Sequence, residues 1–204
     1  VTGFTSQDAE RLASDLTATL WGDESSVLRE QPLFLSLTAS IYAANGGLPR
    51  SQSELLRQST VRLFEKWTNP AHGGVPLQSL LGCSEEDLLD GLAFIAEKFL
   101  GDERDDPLTR LGTLLAGFHR ISGTVNPSEA LEFVTERAGV LVSLAEDDYR
   151  FIHRQIEEYL AARHLTKVEE ALGVGLGTRL KSNPDAWRVV TALRFEILLA
   201  NLES

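Results

Sequence analysis

Apolar residues recur every three or four positions along almost the whole chain, and one stretch only, Val140 to Phe151, alternates with a period of two. The first spacing lines one face of an α-helix, the second one face of a strand. A chain so patterned folds as packed helices interrupted by a single short hairpin. In that hairpin Val140, Val142 and Leu144 alternate, Glu146-Asp147-Asp148 forms a polar turn, and Tyr149 and Phe151 alternate again. With 204 residues, 43% of them hydrophobic, the chain can bury one large core or two small ones.

Capping residues mark where each helix begins and ends. Thr5 and Asp8 open a helix with Ala9, Leu12, Ala13, Leu16 and Leu20 on one face. Pro32 suits a first helical position and leads Leu33, Phe34, Leu37 and Ile41, with Gly46-Gly47 as the stop. Ser51-Gln52-Ser53-Glu54 is a capping-box pattern ahead of Leu56, Leu63, Phe64 and Trp67. Thr68 to Pro76 reads as a loop, and Ser84-Glu85-Glu86-Asp87 caps a long fourth helix bearing Leu88, Leu92, Ile95 and Phe99. A charged turn from Gly101 to Pro107 precedes a fifth helix over Leu108 to Ile121. Asn126-Pro127 starts a sixth that ends at Gly139. After the hairpin the chain turns helical at His153, and Asn183-Pro184-Asp185 caps a last helix with Trp187, Val190, Leu193 and Ile197.

Helices followed by helix, hairpin and helix outline a winged-helix domain. The expected architecture is mainly α, with a small helical bundle over residues 1–70 and a winged-helix domain with one short β-hairpin over 71–166. The linker helix 85–100 belongs to either part. Residues 167–204 form a connector and the first helix of a C-terminal helical region.

Thirty acidic against nineteen basic residues give a net charge of −11, the wrong sign for non-specific contact with nucleic acid or an anionic membrane. The helix in the recognition position carries Glu129, Glu132 and Glu136 against Arg137, and the hairpin tip carries Glu146, Asp147 and Asp148 against Arg150. A DNA reader needs positive charge at both, which argues against a winged-helix transcriptional regulator. No apolar run is long enough to span a bilayer, and no charged n-region followed by an apolar h-region opens the sequence, so secretion is not expected. The lone Cys83 makes no internal disulfide and fits a reducing compartment, so a cytoplasmic location is expected. Because the chain starts at Val1 and lacks methionine, a piece of a longer protein is expected.

Catalytic patterns are sparse. Gly173-Val174-Gly175-Leu176-Gly177-Thr178 is glycine-rich but has no Walker A lysine and follows a helix rather than a strand, so it reads as a connector. Cys83 has no histidine nearby in sequence, no serine stands in a nucleophile elbow, and the carboxylates fall in first turns or on polar faces. The four histidines, His72, His119, His153 and His164, form no metal-binding pair. No catalytic or metal residue is assigned. His153, where strand becomes helix, is the exception worth weighing. A helix N-terminus attracts phosphate and disfavours an imidazolium, so a neutral ring donating one N–H would suit that position. The plainer reading is a partly buried ring that ties hairpin to helix through a backbone hydrogen bond.

The stretch Phe151, His153, Glu158, Tyr159, Ala161 and Ala162 resembles the Phe-x-His-x-x-x-Gln-Glu-Tyr/Phe-x-Ala-Ala segment in the winged-helix domain of NACHT-type STAND NTPases, which include NOD-like receptors and bacterial defence ATPases. Glu157 stands where the family usually has Gln, and Gln155 and Ile156 where Thr/Ser and Phe are frequent. Gln31-Pro32-Leu33-Phe34-Leu35 resembles the helical-domain motif around a nucleotide-contacting proline. Ile41-Tyr42, Gly46-Gly47-Leu48-Pro49 and the helix to Trp67 resemble its continuation. Glu136 to Leu141 resembles the entry to the hairpin, and Asp185 to Val190 the start of the array that often follows.

The resemblance implies a regulatory fragment of a nucleotide-dependent signalling switch, held closed with ADP and opened on exchange for ATP, with magnesium in the parent protein. By match, His153 would touch the β-phosphate and Pro32 would pack near the base. The isolated fragment would bind no cofactor. It further implies an upstream P-loop NTPase domain that hydrolyses ATP, a downstream sensor or helical repeats, homo-oligomerisation on activation, and a role in bacterial defence. No DNA and no membrane partner is expected. The alternatives are an acidic helical protein-interaction adaptor without nucleotide function and, against the sign of its charge, a winged-helix transcriptional regulator.

Overall fold

The structure, a computed structural model, describes residues 10, 11, 14, 32–68, 74–101, 106–121, 125–145, 147–172, 179–180 and 184–202. Of the helix expected after Thr5, only Glu10, Arg11 and Ser14 are described, and they are helical. The chain divides into two compact units, Val1–Arg50 and Ser51–Ser204.

In the first unit, α1 (Pro32–Asn45) buries Phe34, Leu37, Thr38 and Ile41, one face at helical spacing. It ends as expected. Gly46 takes the left-handed conformation at φ 70°, and its N–H donates to the Tyr42 carbonyl at 2.8 Å.

The second unit runs α2 (Gln52–Thr68), α3 (Leu77–Leu81), α4 (Glu85–Gly101), α5 (Pro107–Arg120), α6 (Pro127–Glu132) and a π turn (Phe133–Arg137). It continues with β1 (Leu141–Ala145), β2 (Asp148–Phe151), α7 (Arg154–Leu172) and α8 (Pro184–Leu202). The architecture is mainly α with one short antiparallel hairpin.

Helix α4 is the core element. It buries Leu88, Leu89, Leu92, Ile95 and Phe99, and packs against α7 on one side and α5 on the other. Two glycines permit the second crossing. A Cβ on Gly91 would fall 2.5 Å from Ile121 Cγ1, and one on Gly117 would meet Ile95 Cγ1 closer still. Across the first crossing, Arg163 of α7 bonds Asp90 at 2.8 Å and also reaches Glu86, while Lys167 reaches Asp90 at 2.7 Å. Phe64 of α2 meets Phe133 with ring centroids 6.2 Å apart, and α7 also carries α8 and α2.

Several caps form as read. Ser84 and Asp87 satisfy each other reciprocally, Ser84 Oγ accepting from Asp87 N–H at 3.1 Å and Asp87 Oδ2 accepting from Ser84 N–H at 3.0 Å. Asn126 caps α6 ahead of its proline as read, and Asp106, in the charged turn, caps α5 ahead of Pro107. At α2 only half the box closes. Ser51 Oγ accepts from Glu54 N–H at 3.2 Å, but the Glu54 carboxylate turns to Arg57 and Gln58. Separately, the Ser53 N–H donates to Glu196 of α8, at 2.8 Å.

Two expectations need correction. The sixth helix does not run unbroken to Gly139, because its last turn widens: Ala138 N–H donates to Phe133 at 2.8 Å and Val140 N–H to Val134 at 2.9 Å. Thr135 Oγ1 donates to the Leu131 carbonyl at 2.7 Å, a side-chain competitor for backbone acceptors. In the hairpin, Val140 is buried as expected, but Leu141 and its partner Phe151 also turn inward, whereas Leu144 is exposed. A register shift between Ser143 and Ala145 and a left-handed Asp147 (φ 65°) set the turn. The loop Asn69 to Gly73, residues 102–105, Glu146, the glycine-rich Gly173–Thr178 and the cap Asn183 lie outside the described residues.

The last helix has two apolar sides. Trp187, Val190 and Leu193 are buried, while Phe195, Leu199 and Leu202, at helical spacing, are 61%, 60% and 84% exposed.

Candidate functional site

Phe151 closes β2 and packs edge-on against Phe99 of α4, ring centroids 6.0 Å apart. Arg110 of α5 donates to the Tyr149 carbonyl at 3.2 Å while its guanidinium lies 5.0 Å from the Phe99 ring centroid. These contacts fix where the strand ends. His153 follows two residues later, at the N-cap of α7, and its carbonyl accepts the first helical bond, from Glu157 at 3.2 Å.

The ring itself completes the cap. Gln155 N–H donates to His153 Nδ1 at 3.4 Å. An accepting Nδ1 puts the proton of the neutral ring on Nε2, and partial burial pushes the imidazole below its usual pKa. The plainer reading of the sequence is therefore present in the structure. The ring is half-buried, not enclosed. Beside it, Gln155 Oε1 is buried with no hydrogen-bond partner among the described residues. Chemically, the start of α7 places a neutral imidazole beside one unmet acceptor, Gln155 Oε1, at the positive end of a helix dipole, where a small polar group bearing a proton or a bridging water fits.

Around this point lies a charged group that sequence reasoning did not assemble. Burial raises the Glu157 carboxyl to about 7, against the opposing pull of Arg154, Arg110 and Arg150. Burial also raises Glu158, and Arg154 bonds it at 3.0 Å. Arg110 comes from α5 and Arg150 from β2, so only tertiary packing brings them to α7. The one signal in sequence was Glu157 itself, an acid where the resembled motif has an amide.

Pro32, the other candidate, is the exposed first residue of α1 and belongs to the first unit, whereas His153 belongs to the second. Of the remaining histidines, His119 is exposed in the last turn of α5, and His164 stands edge-on to Phe94 with centroids 5.6 Å apart. His72 lies outside the described residues. Cys83 is buried beside the left-handed Gly82 between α3 and α4, and burial lifts its thiol to about 11, which leaves it unreactive. Among the described residues no group of three His, Cys, Asp or Glu is placed to hold a metal ion, and no helix is long and apolar enough to cross a membrane.

One further concavity, of about 160 Å³, lies between α3 and the α6–π segment, lined by Leu80, Leu81, Glu129, Glu132, Phe133 and Arg137. Comparison with protein-family models, with curated proteins and with solved structures gives no match to this chain.

Proposed function

We propose that this chain is the regulatory helical and winged-helix region of a NACHT-type signalling ATPase, and that His153 helps hold its closed, ADP-bound state. The observation that carries this reading is the half-buried imidazole at the N-cap of α7, with Nδ1 engaged by Gln155 and burial favouring the neutral ring. A neutral N–H donor at the positive end of a helix suits a diphosphate. A latch on one domain that touches nucleotide in one state and releases it in the other supplies the differential contact a switch requires. His153 and Pro32 would be this chain's contributions. Magnesium and the hydrolytic groups would come from an upstream P-loop domain, a sensor or helical repeats would follow, and activation would assemble copies of the parent in the cytoplasm.

The test separates the cap from the latch. In the parent protein, His153→Ala is expected to speed ADP release and raise basal signalling. His153→Asn should keep the helix cap yet release ADP equally fast, because Asn caps well but places its amide short of the imidazole Nε2. ADP release and signalling unchanged in both variants would falsify the latch.

A second reading, an acidic docking adaptor without nucleotide function, is favoured by the exposed Glu129, Glu132 and Glu136 on one face of α6 and the π turn. A GxxxxGK[ST] loop encoded upstream of Val1 favours the switch, and its absence the adaptor.

A further inference from the structure

We infer that the cavity between α3 and α6 receives a single cationic side chain, Arg or Lys, presented by a basic peptide segment of a partner protein. The inference does not depend on the nucleotide switch.

The shape comes first. Leu81 and Phe133 are buried and give the cavity an apolar floor, with Leu80 beside them. At about 160 Å³ it is below the roughly 300–1,000 Å³ of pockets that enclose whole small molecules, and matches one long side chain. The rim is charged. Glu129, Glu132, Phe133 and Arg137 share one face of α6 and the π turn, at i, i+3, i+4 and i+8.

Neither carboxylate is strongly committed. Glu129 is exposed and accepts from Asn126 Nδ2 at 3.1 Å. Glu132 and Arg137 are 3.7 Å apart, 56% and 45% exposed, the geometry of a weak, solvated pair. An aliphatic stem over an apolar floor, ending in a cation at a carboxylate rim, is how Lys and Arg bury part of their length. Charge complementarity selects the partner. A chain of net charge −11 draws a basic segment toward this acidic rim more readily than an acidic one.

The test uses the 204-residue chain with methyl-labelled leucine, titrated with Ac-Ala-Arg-Ala-NH2 and, separately, with the same peptide carrying uncharged citrulline. Expected is a saturable shift of the Leu80 and Leu81 methyls with the arginine peptide, at least fivefold weaker with citrulline, and weakening as NaCl rises from about 50 to 500 mM. The exposed double variant Glu129→Gln/Glu132→Gln should lose at least threefold in affinity. Arg137→Gln should gain, because it removes the competing cation. No saturation at either leucine, equal binding of citrulline, or indifference to both sets of variants overturns the proposal. Free arginine binding more tightly than the capped peptide would show a small-molecule site and overturn the peptide assignment.

Discussion

Gly117 of α5 lies against Ile95 of α4 so closely that a Cβ there would overlap Ile95 Cγ1, with the Gly91 carbonyl only 3.2 Å away. Ile95 and Ile121 fill the space that side chains at Gly117 and Gly91 would take, and this sets the depth at which α5 meets the core. Gly117→Ala gains helix propensity of about 1 kcal/mol, but overpacking typically costs ~1–3 kcal/mol and more where backbone stands in the way. The net expectation is destabilisation, read as a lower urea midpoint for Gly117→Ala. Gly112→Ala, whose added Cβ meets nothing within 4 Å, should raise that midpoint.

Glu157 makes stability fall with pH. Its carboxyl sits near 7 in the folded chain against 4.5 as the ordinary value. Between those values the unfolded chain has already released the proton that the folded chain retains. Stability therefore declines as pH rises through that window and levels off above it. At roughly 1.4 kcal/mol per unit, the loss is up to ~3 kcal/mol. Glu157→Gln should leave stability nearly unchanged near pH 4.5 and raise it at pH 8, measured as the difference in Tm from the parent chain across that range. A constant difference at all pH values would contradict the burial of this carboxyl.

Cys83 should behave as a sealed thiol. It is 1% exposed and its thiol is pushed to about 11, so neither access nor thiolate is provided in the folded state. Labelling by a disulfide reagent at pH 8 is expected to track opening of the α3–α4 junction, with a rate that climbs steeply with urea. Rapid, urea-independent labelling would place the thiol at the surface.

Much of the fold was legible because its causes are local. The caps at Ser84 and Asn126 and the stop at Gly46 each rest on residues within four positions, and the structure closes each of them. His153 as a junction residue was legible for the same reason. What was not legible depends on distant partners. Glu196 takes the Ser53 N–H from 143 residues away, and Arg110 reaches Tyr149 from 39 residues away. The inward face of β1 was hidden for another reason. Val140, Leu141 and Val142 are consecutive apolar residues, so the inward face is ambiguous at the start of the strand, and pairing of Leu141 with Phe151, which packs on Phe99 of α4, makes the choice. The widened turn after Glu132 and the cavity beside it left no mark in the hydrophobic spacing.

The stripe of Phe195, Leu199 and Leu202 has a practical corollary. Fluorogenic probes that brighten on greasy surfaces will find a landing place on the intact chain. Thermal melts followed with such dyes will then start from a high baseline, and that glow must not be mistaken for a molten state.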